Sequence, residues 1–134
     1  MRITLTMLFL ALSTFIFAQT NKDRQILIQS CIDLDEIQQY LQPIKIDGQE
    51  ILVIRDNGMI PNNLELTKFG TSVKLMKITE IFTYGIETFI KFNRFNIFET
   101  EANIEFQIGV DGLTILTTFE KAGNNWILKT KKFI

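Results

Sequence analysis

The sequence predicts an α+β fold, in which an N-terminal helix packs on a curved antiparallel sheet, and three features lead to this prediction. Apolar residues between Lys22 and Leu41 recur at spacings of three and four, the period of a helix with one buried face. After Pro43 the apolar residues form short runs or alternate with polar residues, as in β-strands. Asp111-Gly112 lies between two such strands and is a strong hairpin signal. A helix followed by hairpins is typical of the α+β class.

The helical segment carries its own boundary signals. Asn21 can cap its first turn, and the first proline of the chain ends the pattern. Asp33 followed by Glu36 resembles a capping box, so the segment is either one helix or two short helices that meet near Ile32. A strand over residues 25–32 is the competing interpretation, because several side chains there are β-branched.

The middle of the chain changes to strands and loops. Asp47-Gly48 predicts a tight turn before a buried strand over residues 51–54. The longest irregular loop follows over residues 55–63, and a further strand is expected over residues 73–78.

Residues 79–98 are ambiguous between helix and strand. We expect a short helical turn over residues 80–82 and a strand that begins at Ile86, because Gly85 weakens a helix interior. Four phenylalanines follow at spacings of three, which neither a flat strand nor a straight helix places on one face. A bulge or a bend is therefore predicted among them. They are Phe89, Phe92, Phe95 and Phe98.

The last third predicts a meander. Residues 104–110 alternate apolar with polar, Leu113 to Phe119 continues as the next strand, and a turn contains Gly123. The final strand, over residues 126–133, carries three lysines that keep an exposed edge soluble.

A helix followed by a bent meander that ends in a tryptophan-led strand resembles, in architecture alone, two known α+β folds. They are the cystatin-like fold and the nuclear-transport-factor-2-like fold, and the resemblance covers residues 22–133. Proteins with these folds include enzymes, binding proteins and inert scaffolds, so the resemblance implies no particular function.

Residues 1–18 predict a cleaved signal peptide. Arg2 provides a positive start, and the apolar run from Leu5 to Phe17 has the length of a signal-peptide core and is shorter than a membrane span. The expected cut lies between Ala18 and Gln19, with an uncleaved anchor as the alternative. We therefore expect one domain over residues 19–134, exported to the periplasm or the medium, without a stable membrane anchor.

The composition of residues 19–134 argues against several partners. The 13 basic and 15 acidic side chains leave a net charge of −2, and the whole chain has a pI of about 5.5, so no basic surface is expected to bind nucleic acid. Cys31 is the one cysteine and cannot form an internal disulfide. It lies in an apolar stretch, so burial is favoured over a dimer-forming role.

The chain lacks the groups that most enzyme sites require. The absence of histidine excludes imidazole triads and histidine-liganded zinc, and the seven glycines are too scattered for a phosphate-binding loop. Two acidic clusters could serve a glycosidase or a cation site, but charge clusters are usually solvated surface. They are Asp33, Asp35 and Glu36, and Glu99, Glu101 and Glu105.

The best candidate site for a ligand is the irregular loop that starts at Arg55, since loops on a rigid scaffold often carry binding residues. The alternative is a simple turn in which Arg55 pairs with a neighbour. The tryptophan of the last strand is also a common interface residue, or else a cover for the sheet. Aromatic residues alternate with basic ones over residues 89–95, where core packing is the favoured interpretation. The candidate residues are Arg55, Asp56, Asn57, Met59 and Trp126.

These features together predict a small exported binding module that is not an enzyme. A protein partner or a small apolar ligand is expected, with no cofactor and no metal, while the oligomeric state stays open. Two alternatives are an inhibitor or immunity-type protein that blocks a hydrolase outside the cytoplasm, and a hydrolase that uses carboxylates.

Overall fold

The computed structural model describes residues 21–109 and 112–134. The predicted signal peptide and Asp111 of the predicted hairpin turn lie outside the described residues. Within the described part, no helix is long and apolar enough to cross a bilayer. The elements in chain order are α1 (residues 21–32), a 3-10 helix (Asp35–Tyr40), β1 (Ile44–Ile46), β2 (Gln49–Ile51), β3 (Val53–Arg55), β4 (Thr67–Lys68), β5 (Thr71–Ser72), β6 (Lys74–Met76), α2 (Ile78–Thr83), β7 (Ile90–Ile97), β8 (Glu101–Ile108), β9 (Thr114–Ala122) and β10 (Asn125–Phe133).

A mostly antiparallel sheet of six strands, in the order β10-β9-β8-β7-β3-β6, forms the centre of the α+β fold. The four strands from β7 to β10 make the predicted antiparallel meander. The sheet is not antiparallel throughout, because β3 runs parallel to both β6 and β7. The connections over residues 56–73 and 77–89 are long enough to return the chain to the same end of the sheet, which parallel pairing requires.

The N-terminal segment forms two short helices, as one of the alternatives predicted, so the strand interpretation is wrong. Leu34 has the extended dihedral angles φ −55° and ψ 128° and separates α1 from the 3-10 helix. Gln38 Nε2 stabilises this break by donating to the carbonyl oxygens of Ile32 at 2.9 Å and Leu34 at 2.7 Å. The predicted capping box is not formed, since the 3-10 helix has no side-chain cap. Asn21 is already helical rather than a cap.

Two apolar clusters lie on opposite sides of the sheet. The larger one joins α1 and the 3-10 helix to the meander, with Leu27, Ile28 and Cys31 fully buried. The smaller one lies under α2 and contains Met76 and Phe89. No described helix covers the outer face of β8. Along β8, polar residues on this face therefore alternate with buried apolar residues, as predicted.

A β-bulge interrupts β7, which confirms the prediction from the phenylalanine spacing. Phe92 pairs with Phe106 and Arg94 pairs with Glu105, so Asn93 is the extra residue. The bulge turns Phe95 to the same side of the sheet as Phe92, and the two ring centroids are 6.3 Å apart. The strand begins at Ile90 rather than at Ile86, since residues 86–89, after the turn that follows α2, have no strand structure.

Several other predicted turns and strands are also present, although the strand predicted over residues 73–78 ends at Met76, and Ile78 begins α2. Asp47 and Gly48 both have positive φ, at 52° and 78°, in the turn between β1 and β2. The buried run over residues 51–54 is divided between β2 and β3. The lysine-bearing strand β10 lies at the edge of the sheet, as its charges predict.

Candidate functional site

The start of the predicted loop is built from backbone contacts. Arg55 is the last residue of β3 and is partly buried. The amide of Asp56 donates to the carbonyl oxygen of Met76 at 2.7 Å, which continues the pairing of β3 with β6. Asp56 Oδ1 accepts from the amide of Gly58 at 3.3 Å and closes a turn. No ion pair of Arg55 with Asp56 is present among the described contacts.

Asn57 connects this loop to the bulge of β7. Its Nδ2 donates to the carbonyl oxygen of Phe92 at 2.8 Å, and its Oδ1 accepts from the amide of Met59 at 3.2 Å. The side chain therefore holds two segments that are 35 residues apart. As a result, the side chain of Met59, which is 41% exposed, lies beside the bulge.

An open pocket of about 330 Å³ lies between α1 and the bulged part of β7. Along this part β7 has no strand partner on one side in the described chain, since β3 pairs with it only through Ile54 and Ile90. Two arginines and two asparagines line the pocket, and no acidic residue does. The lining residues are Arg24, Met59, Asn93, Arg94, Phe95 and Asn96.

Of the residues that line this pocket, only Met59 was proposed from the sequence as a site residue; core packing was favoured for residues 93–95, and Arg24 was missed. It lies three and four positions before Leu27 and Ile28, so it shares the side of α1 that faces the sheet. Its Nε is shielded from solvent and makes no hydrogen bond within the described residues. The signal that could have identified it is a charged residue on the apolar stripe of a helix.

Trp126, the predicted site residue outside the loop, does not line this pocket. Its contacts connect α1 to the hairpin of β9 and β10. Its side chain is buried, and Nε1 donates to Asp23 Oδ1 at 3.1 Å. Lys121 Nζ is 3.5 Å from Asp23 Oδ2 and 5.6 Å from the centroid of the indole ring. These contacts agree with the interpretation of Trp126 as a cover for the sheet.

Cys31 is fully buried, as predicted, between α1 and β9. Burial raises the pKa of its thiol to about 12, although a contact of 3.9 Å from Sγ to Thr117 Oγ1 opposes this shift. The thiol is therefore neutral at physiological pH and is not an activated nucleophile.

The first acidic cluster is divided between separate ion pairs. Asp33 Oδ1 lies 3.3 Å from Lys68 Nζ, while Glu36 pairs with Lys131, whose hydrogen bond lowers the pKa of that carboxyl. In the second cluster, Glu101 pairs across strands with Glu120 of β9. Among the described residues, no group of three or more acidic or cysteine side chains is arranged to hold a metal ion.

Comparisons with known proteins do not place this chain in a family. No protein-family model matches it, and no significant match is found among curated proteins or solved structures. The chemistry of the pocket beside α1 is therefore the basis for a functional proposal.

Proposed function

We propose that this protein is an exported, non-catalytic binding module and that its binding site is the pocket between α1 and β7. The observation that carries the proposal is the convergence of Arg24, Met59 and residues 93–96 from three separate elements. Small-molecule sites usually have volumes of about 300–1,000 Å³ and combine apolar walls with a few polar groups. A pocket of about 330 Å³ falls at the small end of that range, and its lining is more polar than usual, since Met59 and Phe95 are its apolar members.

The chemistry of the lining supports binding rather than catalysis. Arginine stays protonated at all physiological pH values, and asparagine, methionine and phenylalanine do not exchange protons with a substrate. General acid–base catalysis needs a group whose pKa lies near the working pH. The pocket contains no such group, so its side chains can hold and orient a ligand without transferring a proton.

Export is part of the same proposal and depends on the first 18 residues of the sequence. Mass spectrometry of the protein from its natural source should find a chain that begins at Gln19. A mature chain that still begins at Met1 would contradict the export assignment without affecting the proposed pocket.

The architectural likeness to the cystatin-like and nuclear-transport-factor-2-like folds also belongs to the proposal. It is supported by the order of the elements, a helix followed by the meander from β7 to β10. In this chain, α1 and β7 both contribute residues to the lining of the pocket. An experimental structure whose meander does not pack on α1 would remove this support.

The methionine methyl groups provide a direct test of the binding site. Met59 lines the pocket, whereas Met76 is 1% exposed in the smaller apolar cluster. The protein, expressed from the full-length chain with 13C-labelled methionine methyl groups, is screened by NMR against a mixed set of neutral, cationic and anionic small molecules. A binder should shift the Met59 methyl signal and leave the Met76 signal in place.

The Met76 signal is the internal control for unfolding or non-specific effects. A compound that shifts both signals equally does not count as a ligand of the pocket. If no compound of any charge class shifts Met59 selectively, the proposal of a small-molecule binding site here is wrong.

A further inference from the structure

Resting on the binding function proposed above, we propose that the ligand of this pocket is a small organic anion with a carboxylate or phosphate group beside a short apolar part. The lining brings two guanidinium groups and two carboxamides together and includes no acidic side chain. A neutral or cationic ligand would not compensate the positive charge of this lining. An anion would compensate them.

Arg24 provides the strongest reason for an anion. Its Nε–H is buried and has no acceptor among the described residues. A buried donor without a partner is unfavourable. Solvent does not reach this Nε, so an anion oxygen would remove the penalty once the Arg24 side chain turns towards the pocket that it lines. The guanidinium group has a planar array of donors that matches the two oxygens of a carboxylate or of a phosphate.

The bulge of β7 contributes the second cation and the two amides. Because Asn93 is the extra residue, it lies next to Arg94 opposite a single residue of β8. That residue is Glu105, yet none of the four described ion pairs joins it to Arg94. Arg94 is exposed and available to a ligand, and the amide groups of Asn93 and Asn96 can donate further hydrogen bonds to its oxygens.

The two apolar side chains of the lining indicate that the ligand also has an apolar part. Met59 and Phe95 line the same pocket, and a thioether adapts to aromatic or aliphatic groups. Asn57 holds Met59 in this position through its contacts to the bulge and to the Met59 amide. Asn57 is therefore a positioning residue rather than a ligand-binding residue.

Three probes of similar shape test the charge of the ligand and the nature of its head group. Benzoate and phenyl phosphate are anions, and benzamide is the neutral counterpart of benzoate. Each is titrated into the methionine-labelled protein while the Met59 methyl signal is followed. We expect saturable shifts with at least one anion, a dissociation constant at least about tenfold higher for benzamide, and weaker anion binding as NaCl is raised. The ratio of the benzoate and phenyl phosphate affinities distinguishes the two head groups.

Three arginine variants test which cations hold the anion. Arg24→Gln and Arg94→Gln should each weaken binding of the better anion by about tenfold or more, because each removes a charged donor. Arg55→Gln is the matched control, since Arg55 is the remaining arginine of the described residues and does not line the pocket. Arg94 is exposed, so its variant stays informative even if the change at Arg24 prevents folding.

Several results would overturn the anion assignment. The first is equal affinity for benzamide and benzoate. The second is a loss of anion affinity in Arg55→Gln as large as that in Arg94→Gln. The third is that neither anion shifts the Met59 signal. In these cases the binding function itself still stands if a neutral or cationic compound of the wider screen shifts Met59 selectively. It fails only when that screen also yields nothing.

Discussion

Asn57 Nδ2 donates a 2.8 Å hydrogen bond to the carbonyl oxygen of Phe92, directly before the bulge residue of β7. The loop after β3 is thereby attached to a strand that is 35 residues further along the chain. The pocket depends on this link, because it joins the segment that carries Met59 to the segment that carries Asn93. One amide group thus connects the irregular part of the fold to its sheet.

Replacing Asn57 should therefore destabilise the protein and loosen the pocket. We expect Asn57→Ala to lower the free energy of unfolding by about 1–2 kcal/mol, since it leaves the Phe92 carbonyl without its partner. Urea unfolding followed by circular dichroism measures this change. Asn63→Ala is the control, because Asn63 is exposed in the same loop and should change stability by less than about 0.5 kcal/mol. Equal effects of the two substitutions would contradict the role of the link.

Two phenylalanines of the spaced series should respond very differently to truncation. Phe92 is fully buried and packs on Phe106 with the ring centroids 5.5 Å apart, whereas Phe98 is 58% exposed. We expect Phe92→Ala to cost about 3–5 kcal/mol of stability and Phe98→Ala to cost less than about 1 kcal/mol. Thermal unfolding of both variants compares them directly. A larger loss from Phe98→Ala would show that the bulge is placed wrongly.

The hydrogen bond from Trp126 to Asp23 should contribute to the attachment of α1. We expect Trp126→Phe to lower stability by about 1.5–3 kcal/mol, because it removes a donor to a charged, partly buried carboxylate. Urea unfolding monitored by circular dichroism measures the loss, and Ile127→Ala, at an exposed neighbouring position, is the control.

A double-mutant cycle isolates this contact from the loss of ring volume. Asp23→Ala combined with Trp126→Phe should destabilise by clearly less than the sum of the two single changes. Strict additivity would mean that the hydrogen bond contributes nothing to stability.

The buried thiol of Cys31 predicts a specific dependence of stability on pH. Its pKa is about 12 in the folded protein against a reference value of 9.0, so above pH 9 only the unfolded chain releases the proton. Stability should therefore fall as pH rises through this window. Between pH 8 and pH 10 the free energy of unfolding of the wild type should fall by about 1.4 kcal/mol relative to Cys31→Ala.

Urea unfolding of both proteins in parallel, under reducing conditions, measures that difference, because the lysines and tyrosines titrate equally in the two chains. A thiol reagent at pH 8 supplies an independent check and should label Cys31 only after unfolding. Labelling of the folded protein at the rate of a free thiol would disprove burial.

The local pattern of residues was sufficient for several elements. The spacing of three between Phe92 and Phe95 predicts a bulge, because a regular strand alternates its faces and would turn one ring outward. The Asp47-Gly48 pair predicts its turn for a similar reason, since both residues tolerate positive φ. In each case the physical constraint acts within a few residues of the chain.

The pocket could not be predicted in the same way. Met59 was a candidate because it lies in a loop that the sequence predicts to be exposed. Arg24 was not a candidate, since no residue near Arg24 in the sequence indicates a contact with residues 93–96. Its role depends on α1 packing beside the open edge of β7. The parallel pairing of β3 was missed for a related reason, because alternation shows which face is buried and not the direction in which a strand runs.

The sequence by itself determined the α+β class, and it favoured a bulge or bend in the phenylalanine series and the burial of Cys31, because these depend on periodicity and short-range sterics. It left open whether the N-terminal segment is one helix or two, and the structure decided for two. Only the tertiary structure decided the strand order, the contact of Asn57 with Phe92 and the convergence of Arg24 with Arg94. These features join segments that are distant in the chain, and the free energy of packing and hydrogen bonding between such segments has no local signature in the sequence.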